Sequence, residues 1–226
     1  MTRRLLPAHG FLALLIIGVL GLAAGCNIAG PAAYFITGTG TVPAQYELLD
    51  RPTVVFVDDR GNVIPLSSRN MRVVIADRVT EELLKRELLT TMIAPRDAIG
   101  AAAANDRHSD LLSVGEIGRL AGVEQVIYIE MVSFGGASGE IPVPTAIARV
   151  RVIDVPNRVR LFPTGEDEAA ARIVQAQLEP FDTQQVRSTS NRLKLYTALA
   201  EETGVAVARL FYAHEPRAPG KNLNPR

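Results

Sequence analysis

Hydrophobic positions along this chain change period several times, and each change predicts an element. Phe11 to Leu22 (FLALLIIGVLGL) is an unbroken apolar run, preceded by Arg3-Arg4 and followed by Ala23-Ala24-Gly25. A basic start, a short apolar core and small residues ahead of a cut have the arrangement of a secretory signal peptide. A run of this length is too short to span hydrocarbon as a helix. Residues 27 to 52 keep no period and are rich in Gly, Pro and Thr, which predicts a tether. Tyr34, Phe35, Ile36 and Tyr46 exceed what a spacer needs, so part of this stretch is expected to pack back on the domain or to dock on a partner.

Thr53 to Val57 (TVVFV) lies between Pro52 and Asp58-Asp59, the pattern of a strand covered on both faces. Arg60-Gly61-Asn62 predicts a turn. From Asn70 to about Leu89, Met71, Ile75, Val79 and Leu83 recur every four residues and predict a helix with one apolar stripe. Thr91 to Ala94 predicts a short strand stopped by Pro95, and the alanine-rich stretch from Asp97 to Asp106 reads by propensity as a short helix or equally as a poorly ordered crossing. Ser113-x-x-Glu116 is a capping box; Ile117, Leu120 and Ala121 continue the helix and Gly122 closes it.

Gln125 to Phe134 (QVIYIEMVSF) and Ala146 to Val155 alternate as strands, and Val159 to Phe162 completes a hairpin after the Pro156-Asn157 turn. Residues 164 to 187 are the least regular: Ala169-Ala170-Ala171 favours helix, yet Ile173 to Leu178 can alternate as an edge strand, and the strand is the preferred of the two. From Thr189 to Tyr212, Leu195, Leu199, Ala206 and Leu210 predict a long final helix. Gly204 within it costs about 1 kcal/mol relative to alanine unless a close neighbour requires it. Pro216, Pro219 and Pro225 prevent its continuation.

This order predicts an α/β fold: one mixed-sheet domain with helices packed on the sheet, following a signal peptide and tether. The divisions are a leader at 1–25, the cysteine and tether at 26–52, the domain at 53–214 and a polar tail at 215–226. Right-handed crossovers are expected to put the first helices on one face and the last helix on the other.

Composition narrows what such a domain does. Removal of residues 1–25 leaves 201 residues, enough for one real core, with 22 basic residues against 24 acidic ones. That balance provides no field for capturing nucleic acid. Leu22-Ala23-Ala24-Gly25-Cys26 resembles the lipobox of bacterial lipoproteins, although Ala23 stands where that family prefers leucine. The resemblance implies cleavage between Gly25 and Cys26 and lipidation of Cys26, the only cysteine of the chain. The anchored protein would then lie in the cell envelope, at the outer membrane facing the periplasm. An uncleaved anchor or a plain secreted protein are the alternatives.

Two further stretches, SVGEIGRLAGVEQVIYIEMVSF and ARVRVIDVPNRVRLFP, resemble envelope lipoproteins of the curli-secretion CsgG, LpoB and TolB amino-terminal type. The shared features fall on Gly118 to Val123, Val126 to Met131 and Val150 to Asp154. With PTVVFVDDR and ARLFY the chain also resembles uncharacterised lipoproteins of planctomycete-type bacteria. The resemblance implies noncatalytic work on an envelope protein partner. A pore is disfavoured, because both long alternating strands are needed by the core.

Candidate chemistry is sparse. Asp58 and Asp59 end a strand where open α/β sheets bind ligands, and with Asp154 they could form a carboxylate cluster for a hard cation. Adjacent strand residues point to opposite faces, and turn aspartates paired with Arg60 or Arg78 are the plainer reading. His108 and His214 have no ligand spacing for zinc, and Ser138 lacks the glycine of a nucleophile elbow. No catalytic residue, metal site or cofactor is therefore assigned. Arg149, Arg151, Arg158 and Arg160 are expected on the outward side of the hairpin, with few acidic neighbours, and form the candidate partner surface. A periplasmic module binding a small ligand or cation is the rival function.

Overall fold

The computed structural model describes residues 40–105, 111–136, 143–165, 167, 170–180 and 188–216; Gly25, Cys26, His108 and Ser138 lie outside them. From Pro43 onward the chain forms one compact unit. At its centre runs β1 (Thr53–Asp58), buried along its whole length. It pairs in parallel with β2 (Met92–Ile93) on one side and β3 (Gln125–Gly136) on the other. β4 (Thr145–Asp154) lies antiparallel to β3. Its far edge is divided between β5 (Val159–Phe162), opposite Val152 to Asp154, and β6 (Arg172–Gln177), opposite Thr145 to Val150.

The helices are α1 (Met71–Lys85), α2 (Pro95–Asn105), α3 (Val114–Leu120) and α4 (Thr189–Ala208). Met71, Ile75, Val79 and Leu83 of α1 are buried with Leu199 and Val207 of α4 against Val55, Val57, Ile127, Ile129, Val150 and Val152. On the other face, Ala98 and Ala102 of α2 and Ile117 of α3 meet Val54, Phe56, Val126 and Tyr128. The expectation that the first helices share a face, with the last on the opposite one, is thus corrected. The order β2-β1-β3 explains why: the chain steps one way from β1 to β2, then back over β1 to reach β3. Two right-handed crossovers in opposite directions place their helices on opposite faces.

Local chemistry sets the element ends. Ser113 Oγ accepts from the Glu116 N–H, and the Glu116 carboxylate accepts from the Ser113 N–H at 2.9 Å, the reciprocal bonds that the capping box requires. Gly118 lies flat against the sheet, since a Cβ there would come within 2.5 Å of Val155 Cγ2. Gly115, three residues earlier on the same helix, faces open space. The irregular stretch after residue 164 does contain the edge strand β6, and its alternation is visible in the burial of Val174 and Ala176 between exposed neighbours. Tyr46 packs back, its ring tilted against Phe162 with centroids 5.4 Å apart, while the Gln45 N–H donates to the Leu210 carbonyl.

Gly204 is where α4 meets α1. A Cβ there would stand 2.6 Å from Arg78 Cβ and 2.9 Å from the Ile75 carbonyl oxygen, and the latter is backbone that cannot rotate away. The helix-propensity cost of this glycine is accepted for close approach. Gly204→Ala is therefore expected to destabilise by about 1–3 kcal/mol, because overpacking outweighs the gain in propensity. Urea unfolding measures this, and a variant more stable than the wild type contradicts the close contact.

Candidate functional site

The parallel half of the sheet delivers Asp58, Asp59 and Arg60 to one end, where the connections leaving β1 and β2 diverge to opposite faces. Asp58 is the last residue of β1 and is buried. Its carboxylate accepts from Arg60 Nε at 3.0 and 2.9 Å, from Arg60 Nη2 at 2.6 Å and from the Arg60 N–H at 2.9 Å. On β3, Tyr128 OH donates to Asp58 Oδ2 at 2.6 Å. Arg60 Nη1 extends the network by donating to the Leu112 carbonyl just ahead of α3. Burial pushes the Asp58 carboxyl upward in pKa, yet the bonds from Arg60 and Tyr128 outweigh it and hold the group below its ordinary value. Burial, and then the bond to Asp58, push the Tyr128 phenol well above its ordinary range.

Asp59 turns away, as strand parity requires. Its carboxylate accepts from the Val63 N–H at 2.8 Å and the Ile64 N–H at 3.2 Å, closing the turn before α1. Asp154 sits at the opposite end of the sheet, because its register partner is Gln125, which in turn pairs with Thr53. Five strand steps separate that level from Asp58, about 17 Å at the usual rise. Asp154 accepts from the Asn157 N–H and Nδ2, each at 3.1 Å, and from both Arg51 Nη atoms at 3.3 Å. Burial acts upward on its pKa, but the Asn157 and Arg51 contacts bring it below the ordinary value. The three carboxylates are not brought together. Among the described residues no group of three or more His, Cys, Asp or Glu converges.

The four arginines separate into different roles. Arg149 and Arg151 do project from the face opposite Ala148, Val150 and Val152, but they are not remote from acid. Glu130 of β3 stands in register with Arg149, and its two oxygens lie 3.4 Å from Arg149 Nη1 and 3.5 Å from Arg151 Nη1. Arg151 Nε also donates to the Ala170 carbonyl at 3.2 Å, and its guanidinium lies 5.8 Å from the centre of the Tyr128 ring. Arg160 donates to the carbonyls of Pro163, Gly165, Asp167 and Ala170 and so holds the segment that leads to β6. Arg158 is exposed in the β4–β5 turn and shares an open depression with Ser113, Glu116, Arg119 and Ile153. Arg149 is the member that stays on an exposed sheet face, beside Ile173, its register partner on β6.

Two participants escaped the sequence. Tyr128 reads as one more alternating strand residue, and only the register Phe56↔Tyr128 shows that its ring reaches Asp58. Glu82 is a buried carboxylate on α1, accepting from Arg78 Nη2 at 2.7 Å and Tyr212 OH at 3.4 Å. Arg86 lies over the Tyr212 ring at 3.7 Å. His214, whose Nδ1 is 3.1 Å from the Tyr212 carbonyl oxygen, borders this network.

No protein-family model matches the chain, and no curated protein does. Solved structures of similar course include the hypothetical protein CT253 from Chlamydia trachomatis, at 18% identity and TM-score 0.39, covering 72% of this chain and 92% of that one. Another is the lipoprotein GNA1162 from Neisseria meningitidis, at 15% identity and TM-score 0.36, covering 64% and 87%. A third is the PelC dodecamer from Paraburkholderia phytofirmans, at 11% identity and TM-score 0.38, covering 76% and 93%. The similarity is weak, and it is not specifically to the curli-secretion, LpoB or TolB type.

Proposed function

We propose that this chain is a lipid-anchored, noncatalytic adaptor or structural protein of the bacterial cell envelope, held at the outer membrane and facing the periplasm. The observation that carries the reading is the apolar run Phe11 to Leu22 leading into Ala23-Ala24-Gly25-Cys26. Two or three acyl chains on one cysteine hold a protein at a bilayer where a single chain gives only reversible binding. The rival, a module for a small ligand or cation, draws less support. Asp58, Asp59 and Asp154 are each committed to internal hydrogen bonds, and the third lies at the far end of the sheet.

The adaptor's partner surface is assigned to the exposed sheet face around Arg149. Charge reversal there tests the reading cleanly, because Arg149 is half exposed and spans only one strand pair to Glu130, whereas Arg151 and Arg160 also hold backbone. Arg149→Glu is expected to cost only about 0.5–1.5 kcal/mol, from the lost surface ion pair and the like charge set opposite Glu130, and to keep the native circular dichroism. Co-purification of envelope proteins crosslinked in intact cells should fall about fivefold or more relative to wild type, since misplaced interface charge weakens association. Undiminished recovery from the folded variant rejects this face as the partner surface.

A further inference from the structure

We infer that β6 is a self-pairing edge through which two copies of this chain join their sheets antiparallel, with Gln175 on the two-fold axis. Among the described residues, β6 pairs only with β4 and its other side carries no strand. Soluble proteins blunt such edges with lysine, proline, a bulge or an inward charge. β6, Arg172-Ile173-Val174-Gln175-Ala176-Gln177, has neither lysine nor proline, and its pairing with β4 runs without a register shift. Ile173 is 65% exposed on it. An unprotected, regular and partly apolar edge is a template for another strand.

The hydrogen-bond parity of β6 limits how a second copy would fit, and only an axis at Gln175 pairs all of its outward residues within β6. The Leu178 N–H donates to the Pro144 carbonyl across the β4 pairing. Residues of the same parity, Ala176, Val174 and Arg172, therefore direct their backbone groups at β4, and Ile173, Gln175 and Gln177 direct theirs outward. A two-fold axis at Gln175 sets Gln175 opposite Gln175 and Ile173 opposite Gln177, so every outward residue falls in a hydrogen-bonded pair, about six bonds in all. An axis between two residues would instead match opposite faces of the sheet and break the buried side.

Side chains agree with this register. Val174 and Ala176, both buried on the α4 side, come opposite each other, which continues the core across the junction. The only charged residue of β6, Arg172, falls outside the matched pairs, and its copy lies about 20 Å away along the strand direction at the usual rise. Gln175 faces its own copy with a neutral amide. These features select a second copy of this chain over a strand of different sequence, which has no reason to share the dyad.

Sedimentation velocity of the full-length, processed protein in detergent tests the inference, with Gln175→Lys and Gln175→Glu as variants. The wild type is expected to be dimeric at micromolar concentration. Each variant places like charges on the axis and should weaken the dimer by about tenfold or more while keeping its circular dichroism. An equimolar mixture of the two variants should restore the dimer, because lysine then meets glutamate. A wild-type monomer, which leaves the edge to a strand of another protein, overturns the inference. Variants that dimerise as well as the wild type, or a mixture that fails to recover, overturn it too.

Discussion

Replacing Asp58 with asparagine is expected to lower the free energy of unfolding by about 2–4 kcal/mol, the scale of a broken buried ion pair trimmed for the partial exposure of Arg60. The wild-type carboxylate accepts from the Arg60 guanidinium, the Arg60 N–H and Tyr128 OH at once. The amide of Asp58→Asn can still accept from one of them, but its NH₂ group opposes the remaining donors, and the guanidinium is left without its counter-charge. The loss is structural as well as electrostatic, because these bonds tie the end of β1 to β3 and, through Arg60 Nη1, to the approach to α3. Urea midpoints at neutral pH measure it. A change below about 0.5 kcal/mol, the usual range for surface substitutions, contradicts the geometry.

The same carboxylate gives the fold an acid dependence whose sign is fixed. Its folded-state pKa is depressed, so the native state binds fewer protons than the unfolded state near pH 4. The stability it contributes is complete above the ordinary aspartate value of about 3.9 and is lost as pH falls through the lower folded value. The wild type should therefore lose stability between about pH 5 and pH 2 more steeply than Asp58→Asn. Part of the slope survives in the variant, because Asp154 is also held low by Asn157 and Arg51.

Much of this architecture is legible from periodicity because burial imposes it. β1 reads as a fully covered strand since helices lie on both sides of it, and β4 alternates since Arg149 and Arg151 sit opposite Ala148, Val150 and Val152. The four-residue spacing of Met71 to Leu83 marks the stripe that α1 buries. What periodicity cannot carry is the direction of a crossover. That depends on where β3 is inserted in the sheet, so α2 and α3 fall on the face opposite to α1, and α4 joins α1.

The chemistry of the site is less legible for a related reason. The Asp58–Arg60 pair is local, two residues apart, and the sequence offers it. The Tyr128 contact spans 70 positions and exists only through register. Glu130 is similar: scanning the hairpin for acids misses it because the antiparallel pairing brings it beside Arg149 from the preceding strand. Gly204 shows the opposite case, in which a residue unfavourable to a helix announces a close contact before the contact is seen.

The proposed function turns on the anchor at Cys26, and replacing this residue should have the largest effect on location. In the proposed lipidation the Cys26 thiol is the acceptor, and serine supplies none. Once residues 1–25 are removed the chain carries only 22 basic residues against 24 acidic ones, which offers no electrostatic substitute for acyl chains. The most direct measurement pairs the mass of the N-terminal peptide with membrane partition of the wild type and Cys26→Ser. The wild-type peptide is expected to begin at Cys26 and bear acyl mass, and the membrane-bound fraction to fall about tenfold or more in the variant. An unmodified Cys26 in the wild type, or partition unchanged by the substitution, contradicts the anchor.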